Sequence, residues 1–232
     1  MCHGSSMRVA GVDACRGGWV AVSLDAAHDP AVRVRVAASL TALLAPWLGP
    51  GSTTIVGIDM PLGLLETGWR EADRAARGLL GPRRSSVFAI PPRAVWAQAS
   101  YPAASQRSRE LTGQGFSAQA WGLRAKLLEA NAYRETCAHP LYEVHPELAF
   151  SAMAGAPLPY SKHTQAGREL RRELLARAGI AVPTATAPVP VTDVLDAAAV
   201  AWSGWRIATG RAVTIPDRPQ QDRQGREIAI RY

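Results

Sequence analysis

The sequence predicts an α/β protein with a mixed sheet: three antiparallel strands, then parallel strands, with flanking helices. Three apolar runs near the start, Arg8–Asp13, Trp19–Leu24 and Val32–Val36, are separated by the turn residues Arg16-Gly17-Gly18 and Asp29-Pro30. Short runs joined by such turns pair as an antiparallel meander. The run Thr53–Asp59 is instead β-branched and apolar throughout, the composition of a central parallel strand buried on both faces. Helical segments follow both groups of strands.

The elements follow in order. Val32-Arg33-Val34-Arg35-Val36 alternates with period two, the mark of a half-exposed strand. Ser39 is placed to cap an apolar helix, Leu40–Leu48, which Gly49-Pro50-Gly51 ends. From about residue 64 to 138 the chain changes character and reads as a mainly helical insertion. A charged helix (Glu66–Leu80), a proline-rich loop (Pro82, Pro91, Pro92, Pro102) and a long helix (Ala118–Cys137) make it up, with Ser85–Ile90 as a loop or short strand. Leu141–His145 returns to strand, and Pro146 ends it. Helices Glu147–Ala154 and Gln165–Ala178 follow. An extended Pro183–Pro190 linker then leads to a last helix, capped by Thr192 and running to Ala208. The expected organisation is a disordered leader at residues 1–6, one domain over 7–216 and a polar tail at 217–232.

The composition narrows the function classes. No apolar run approaches ~18 residues, and Met1–Met7 has no signal-peptide core, so a cytoplasmic protein with no membrane span is expected. Cys2, Cys15 and Cys137 are too far apart for a zinc site or a disulfide framework, and Cys15 reads as a small residue packed in a turn. A net charge of +7 rests almost wholly on arginine, Lys126 and Lys162 being the only lysines, which favours a polyanionic partner, nucleic acid first. The same arginines also suit ordinary solvated helix faces. Nothing in the sequence fixes an oligomeric state.

Acidic residues stand where apolar runs stop. Asp13 and Asp59 close two strands, Glu143 lies in another, and Asp193 and Asp196 open the last helix. A buried strand delivers its terminal residue to the rim of the sheet, where sites of α/β proteins form. Carboxylates gathered there repel one another unless a cation lies among them. Asp193 and Asp196, three apart on a helix, share a face and can address one ion. Taken singly, Asp13 serves equally well as a turn residue and Asp193 as a helix N-terminal acid. Together, Asp13, Asp59, Glu143, Asp193 and Asp196 predict a Mg2+ or Mn2+ site, with Asp13, Asp59, Glu143 and Asp196 as the catalytic set. Glu147 is held in reserve as a further ligand, against a reading as a helix-dipole partner, and His145 as a proton shuttle, against the stronger reading as a hydrogen-bonded structural histidine. Arg16, Gly17, Gly18, Arg93, Lys126 and Lys162 are the expected substrate-binding residues. Trp96 and Trp121 can stack on a base, although core packing accounts for them equally.

The order of three antiparallel strands, helix, strand, strand and helix is that of the ribonuclease H-like fold. Val12-Asp13-Ala14-Cys15-Arg16-Gly17-Gly18-Trp19, Gly57-Ile58-Asp59-Met60-Pro61-Leu62-Gly63, Ser85-Ser86-Val87-Phe88, Pro91-Pro92-Arg93, Glu143-Val144-His145-Pro146-Glu147 and Asp193-Val194-Leu195-Asp196-Ala197 occur in this order. Together they closely resemble the family catalogued as domain of unknown function 429, regarded as ribonuclease H-like nucleases, over Met7–Pro216. The resemblance implies a nuclease hydrolysing phosphodiester bonds. Its last motif looks like the Asp-x-x-Asp of Holliday-junction resolvases, with Thr192-Asp193 where those often carry two adjacent acids. Two other classes stay open: a nucleotide-binding phosphotransferase or ATPase of the actin-like and sugar-kinase branch, holding phosphates at Gly17-Gly18, and a non-catalytic nucleic-acid-binding module.

Overall fold

The β1–β2 hairpin sets the register of everything that follows. Cys15 pairs with Gly18, leaving Arg16 and Gly17 as a two-residue turn, and Gly17 takes φ +81°, the left-handed region that glycine enters without steric cost. At Gly18 a Cβ would come within 2.2 Å of the Ala37 carbonyl oxygen, so no side chain fits there. This computed structural model describes residues 7–25, 32–49, 52–183, 186 and 188–232. The leader expected at residues 1–6, the Asp29-Pro30 turn, Pro50-Gly51 and part of the Pro183–Pro190 linker lie outside the described residues.

The described elements are, in order, β1 (Arg8–Cys15), β2 (Gly18–Asp25), β3 (Arg33–Ala37), α1 (Leu40–Leu44), β4 (Ile55–Ile58), α2 (Glu71–Leu80), a 3₁₀ turn (Gly81–Ser86), α3 (Arg93–Trp96), α4 (Tyr101–Thr112), α5 (Ala118–Gly122), α6 (Arg124–Thr136), β5 (Leu141–Val144), α7 (Pro146–Ala154), α8 (Gln165–Arg177), α9 (Val191–Ala208), β6 (Thr214–Gln221) and β7 (Glu227–Arg231). They form an α/β protein divided into two units: Met1–Met60 with Cys137–Val213 and Arg231–Tyr232, and Pro61–Thr136 with Thr214–Ile230.

In the first unit the strand order is β3-β2-β1-β4-β5. β1 pairs antiparallel with β2 and β2 with β3, while β1 with β4 and β4 with β5 are parallel. This is the predicted mixed sheet. Ser39 accepts a hydrogen bond from the Ala42 amide and so caps α1 as expected. One face of the sheet, carrying Val9, Val20, Val22 and Leu24, is buried against α9 and the apolar sides of α7 and α8. α9 is apolar almost all round because it lies on β1, β2 and β4 while α7 and α8 pack on it in turn.

The second unit contains α2 to α6, β6 and most of β7. Asn131 ties it together from α6: its Oδ1 accepts from the Gly63 amide at 2.8 Å and its Nδ2 donates to the Pro61 carbonyl at 2.9 Å. Trp96 and Trp121 stack on each other at 6.2 Å, and Trp96 is fully buried, so these rings serve packing.

Several expectations for this unit are corrected. The charged helix begins at Glu71 rather than Glu66. The proline-rich loop contains a twelve-residue helix, α4, because Ser100 caps it and Pro102 falls in its first turn, where no amide donor is needed. The long helix from Ala118 breaks at Leu123 into α5 and α6. The residues after 216, expected as a polar tail, carry most of β6 and all of β7. In β6 the two prolines and outward-facing polar residues mask the strand, whereas in β7 the buried Ile228-Ala229-Ile230 supply the apolar face.

Candidate functional site

Two glycines decide where the acidic residues meet. Gly11 of β1 and Gly57 of β4 are register partners and lie on the sheet face covered by α9. A Cβ on Gly11 would stand 2.1 Å from both the Ala197 carbonyl oxygen and the Ala201 amide nitrogen, and one on Gly57 would stand 2.9 Å from Val200 Cγ1. The helix backbone therefore rests almost directly on the strands, and Ala197, Ala198, Ala199 and Ala201 are small enough to allow it. Two residues beyond each glycine, on the same face, come Asp13 and Asp59. The Asp59 amide donates to the Val12 carbonyl at 2.8 Å and prolongs the parallel ladder, which keeps the two carboxylates level. Asp196 immediately precedes Ala197 on α9. Asp13 inside the last part of β1, Asp59 just past β4 and Asp196 on α9 thus face the same region.

Their environment is strongly electrostatic. Asp13 is 8% exposed and Asp196 1% exposed, while Asp59 and Asp193 keep partial access to solvent. Burial, then repulsion from Asp59 and Asp196, raises the Asp13 pKa well above its ordinary value. Burial is also the main cause at Asp59, pushed up to about 7, and at Asp196, pushed up to about 6, with Lys162 opposing it in both cases. Lys162, in the segment between α7 and α8, donates from Nζ to Asp196 Oδ2 at 2.5 Å. Burial alone would lower its pKa, but Asp196, Asp59 and Asp13 outweigh this and hold it charged. The other Asp196 oxygen, Oδ1, is buried without a hydrogen-bond partner. Asp13 Oδ1 accepts from the Ala14 amide at 2.7 Å.

The remaining acids divide differently from expectation. In the parallel register Glu143 pairs with Ile58, one residue before Asp59. Partners in register point to the same face and successive residues to opposite faces, so Glu143 is turned away from Asp13 and Asp59. Val144, not Glu143, shares their side, standing next to Gly57. Glu147, the reserve residue, is the glutamate whose charge is felt there: it sits at the second position of α7, and it raises the pKa of both Asp59 and Asp196. Its Oε1 accepts a short hydrogen bond from Arg171 of α8, and its Oε2 is buried without a partner. His145 forms the N-terminal boundary of α7, where its carbonyl accepts from the Leu148 and Ala149 amides. Asp193 is half-buried and accepts from Thr192 Oγ1 at 3.0 Å; burial raises its pKa. Thr192 lies inside α9, and Pro190 rather than Thr192 occupies the cap position.

Of the expected substrate-binding residues, only Lys162 stands among the acids. Arg16 and Gly17 are exposed in the hairpin turn beyond Asp13, and the buried Gly18 is accounted for by its approach to Ala37. Arg93 and Lys126 belong to the second unit. There Arg93 pairs with Glu66 at 3.4 Å and Glu135 at 3.5 Å, and Lys126 with Glu129 at 3.7 Å.

Arg171 is a residue beside the site that the sequence does not distinguish from its many other arginines. It is 1% exposed, contacts Glu147, lies 5.3 Å over the Phe150 ring and donates to the carbonyls of Tyr160 at 3.2 Å and Gly167 at 3.0 Å. The signal for it was its spacing: Gly167, Arg171, Leu174 and Leu175 form the buried face of α8.

Among the described residues, no three His, Cys, Asp or Glu side chains stand preformed around an ion position. Asp13, Asp59 and Asp196 do offer carboxylate oxygens, the donor type that hard divalent cations take, one of them buried and unpaired, in an environment that penalises uncompensated negative charge. Among the described residues, no helix is long and apolar enough to cross a membrane.

No curated protein and no solved structure matches the chain. The family described as Protein of unknown function (DUF429) matches residues 11–221, a span that holds Asp13, Asp59, Glu147, Lys162, Arg171 and Asp196. The chain belongs to that family.

Proposed function

We propose that this chain is a ribonuclease H-like, Mg2+- or Mn2+-dependent nuclease that hydrolyses phosphodiester bonds of nucleic acid. The observation that carries the reading is the meeting of Asp13, Asp59 and Asp196, delivered by two adjacent parallel strands and a helix seated on glycine backbone. Asp13 and Asp196 are buried and Asp59 is partly so, and gathering their charges costs folding free energy that a bound cation would offset. Asp13, Asp59 and Asp196 would hold the ion, with Glu147 beside them as a further acid oriented by Arg171. When bound, a divalent ion polarises a phosphoryl oxygen and makes its water more acidic. Lys162 brings a fixed ammonium that attracts a phosphate and offsets the charge that develops on it. The net charge of +7 supports a polyanionic substrate.

The phosphotransferase alternative loses its specific support, because the demands of the hairpin and the approach of Ala37 account for Gly17 and Gly18. The test is cleavage of labelled single-stranded, duplex, hybrid and branched nucleic acids with Mn2+ or Mg2+, beside an Asp13→Asn variant. Hydrolysis that needs the metal and disappears in the variant is the expected result. Cleavage surviving Asp13→Asn, or no cleavage of any substrate, contradicts the proposal.

A further inference from the structure

A charge count at the carboxylate site departs from a two-ion arrangement. Deprotonated, as a bound cation requires, Asp13, Asp59 and Asp196 supply three negative charges. Glu147 is neutralised by Arg171, and Asp193 is half-buried, bonded to Thr192 and partly screened by solvent. Lys162 returns one positive charge directly to Asp196 at 2.5 Å and acts on Asp59 and Asp13 as well. Two negative charges then remain, the number that one divalent ion neutralises. Two divalent ions in addition to the ammonium would leave the buried site with a net positive charge, an arrangement burial penalises.

Lys162 is also held more firmly than a surface lysine. The preceding Ser161 carbonyl accepts from the Thr164 amide at 3.0 Å and from Thr164 Oγ1 at 2.8 Å. A Cβ on Gly167 would stand 1.9 Å from that same oxygen, so α8 and the Lys162 segment are packed backbone to backbone. Arg171 donates to the neighbouring Tyr160 carbonyl at 3.2 Å, while its other terminal nitrogen holds Glu147. One buried guanidinium therefore positions both the lysine segment and an acid of the site.

We propose that this site takes one divalent ion and that the Lys162 ammonium permanently occupies the place of a second cation. The proposal rests on the metal-dependent reading above and specifies its stoichiometry. Asp196 then divides its two oxygens, Oδ2 to the lysine and the buried, unpaired Oδ1 to the ion. Because its charge is built in, the site needs only one metal at any concentration, and Lys162 serves as a positioning residue for Asp196.

The experiment uses Mn2+ alone, without substrate, on the wild type, Lys162→Gln and Lys162→Arg. Calorimetry counts the ions, and electron paramagnetic resonance separates isolated Mn2+ from spin-coupled pairs roughly 4 Å apart. The expected result is one uncoupled ion in the wild type and in Lys162→Arg. In Lys162→Gln, either a second, coupled ion or at least about tenfold tighter binding of the first is expected. Two ions in the wild type, or one ion in Lys162→Gln with an unchanged constant, overturns the proposal while leaving a metal site in place. No saturable Mn2+ binding by the wild type overturns the metal-dependent reading and this proposal together. The wild-type count needs no variant, so two ions there overturn the proposal even if Lys162→Gln does not fold.

Discussion

Asp13, Asp59 and Asp196 each bind a proton more tightly in the folded chain than in the unfolded one, where an aspartate titrates near 3.8. Between about pH 4 and pH 7 the unfolded state has lost these protons while the folded state retains them. Stability without metal therefore falls as pH rises through that window. The unfolding temperature of metal-free protein should be lower at pH 7.5 than at pH 5, and a pH series by calorimetry checks it. Mn2+ should raise that temperature at pH 7.5 and hardly at pH 5, because a protonated carboxylate is a poor ligand. Asp13→Asn should raise the metal-free value at pH 7.5, by roughly 2–4 °C per kcal/mol of repulsion relieved, and abolish most of the Mn2+ effect. Arg171→Met, which strands the buried Glu147 charge, should cost about 3–5 kcal/mol in urea unfolding. Adding Glu147→Leu should recover most of that loss. Sequence makes Asp13 and Asp59 legible at this scale because each closes a run of apolar residues. It does not separate Glu143 from Glu147: the choice depends on which way β5 faces, and a one-residue change in register reverses it.

At the scale of elements, the contact of α9 with β1 and β4 is what builds the site. Gly11→Ala should therefore be more damaging than Gly17→Ala, although Gly17 has the unusual φ. The Gly11 methyl would overlap helix backbone 2.1 Å away, and overpacking of this kind costs about 1–3 kcal/mol or more. The Gly17 methyl meets nothing within 4 Å and carries only the left-handed backbone cost, roughly 1–2 kcal/mol. Urea midpoints with unchanged m values measure the difference, and Gly11→Ala should also weaken Mn2+ binding by displacing Asp196. The strands of the first unit were legible because their apolar runs have strand length and turn residues between them. α4 was not: its prolines read as loop, and only the position of Pro102 two residues after the Ser100 cap reconciles them with a helix. β6 was masked by its polar and proline residues, and its identity as a strand depends on a partner that sequence pattern does not reveal.

For the molecule as a whole, membership of the family described as Protein of unknown function (DUF429) spans residues 11–221, so the site belongs to the shared part of the chain. The excess of positive charge is spread over both units, and the proposed binding to nucleic acid should weaken steeply with salt even in an Asp13→Asn variant. Fluorescence anisotropy with a labelled oligonucleotide at increasing salt checks this separately from cleavage. The proposed role of Asp13, Asp59 and Asp196 is narrower: they would hold a divalent cation. A crystal soaked with Mn2+ and measured at the manganese absorption edge tests it most directly. The expected result is an anomalous peak bounded by carboxylate oxygens of these three residues, with Lys162 still bonded to Asp196. A map with no peak there, or with manganese bound only elsewhere, contradicts the account.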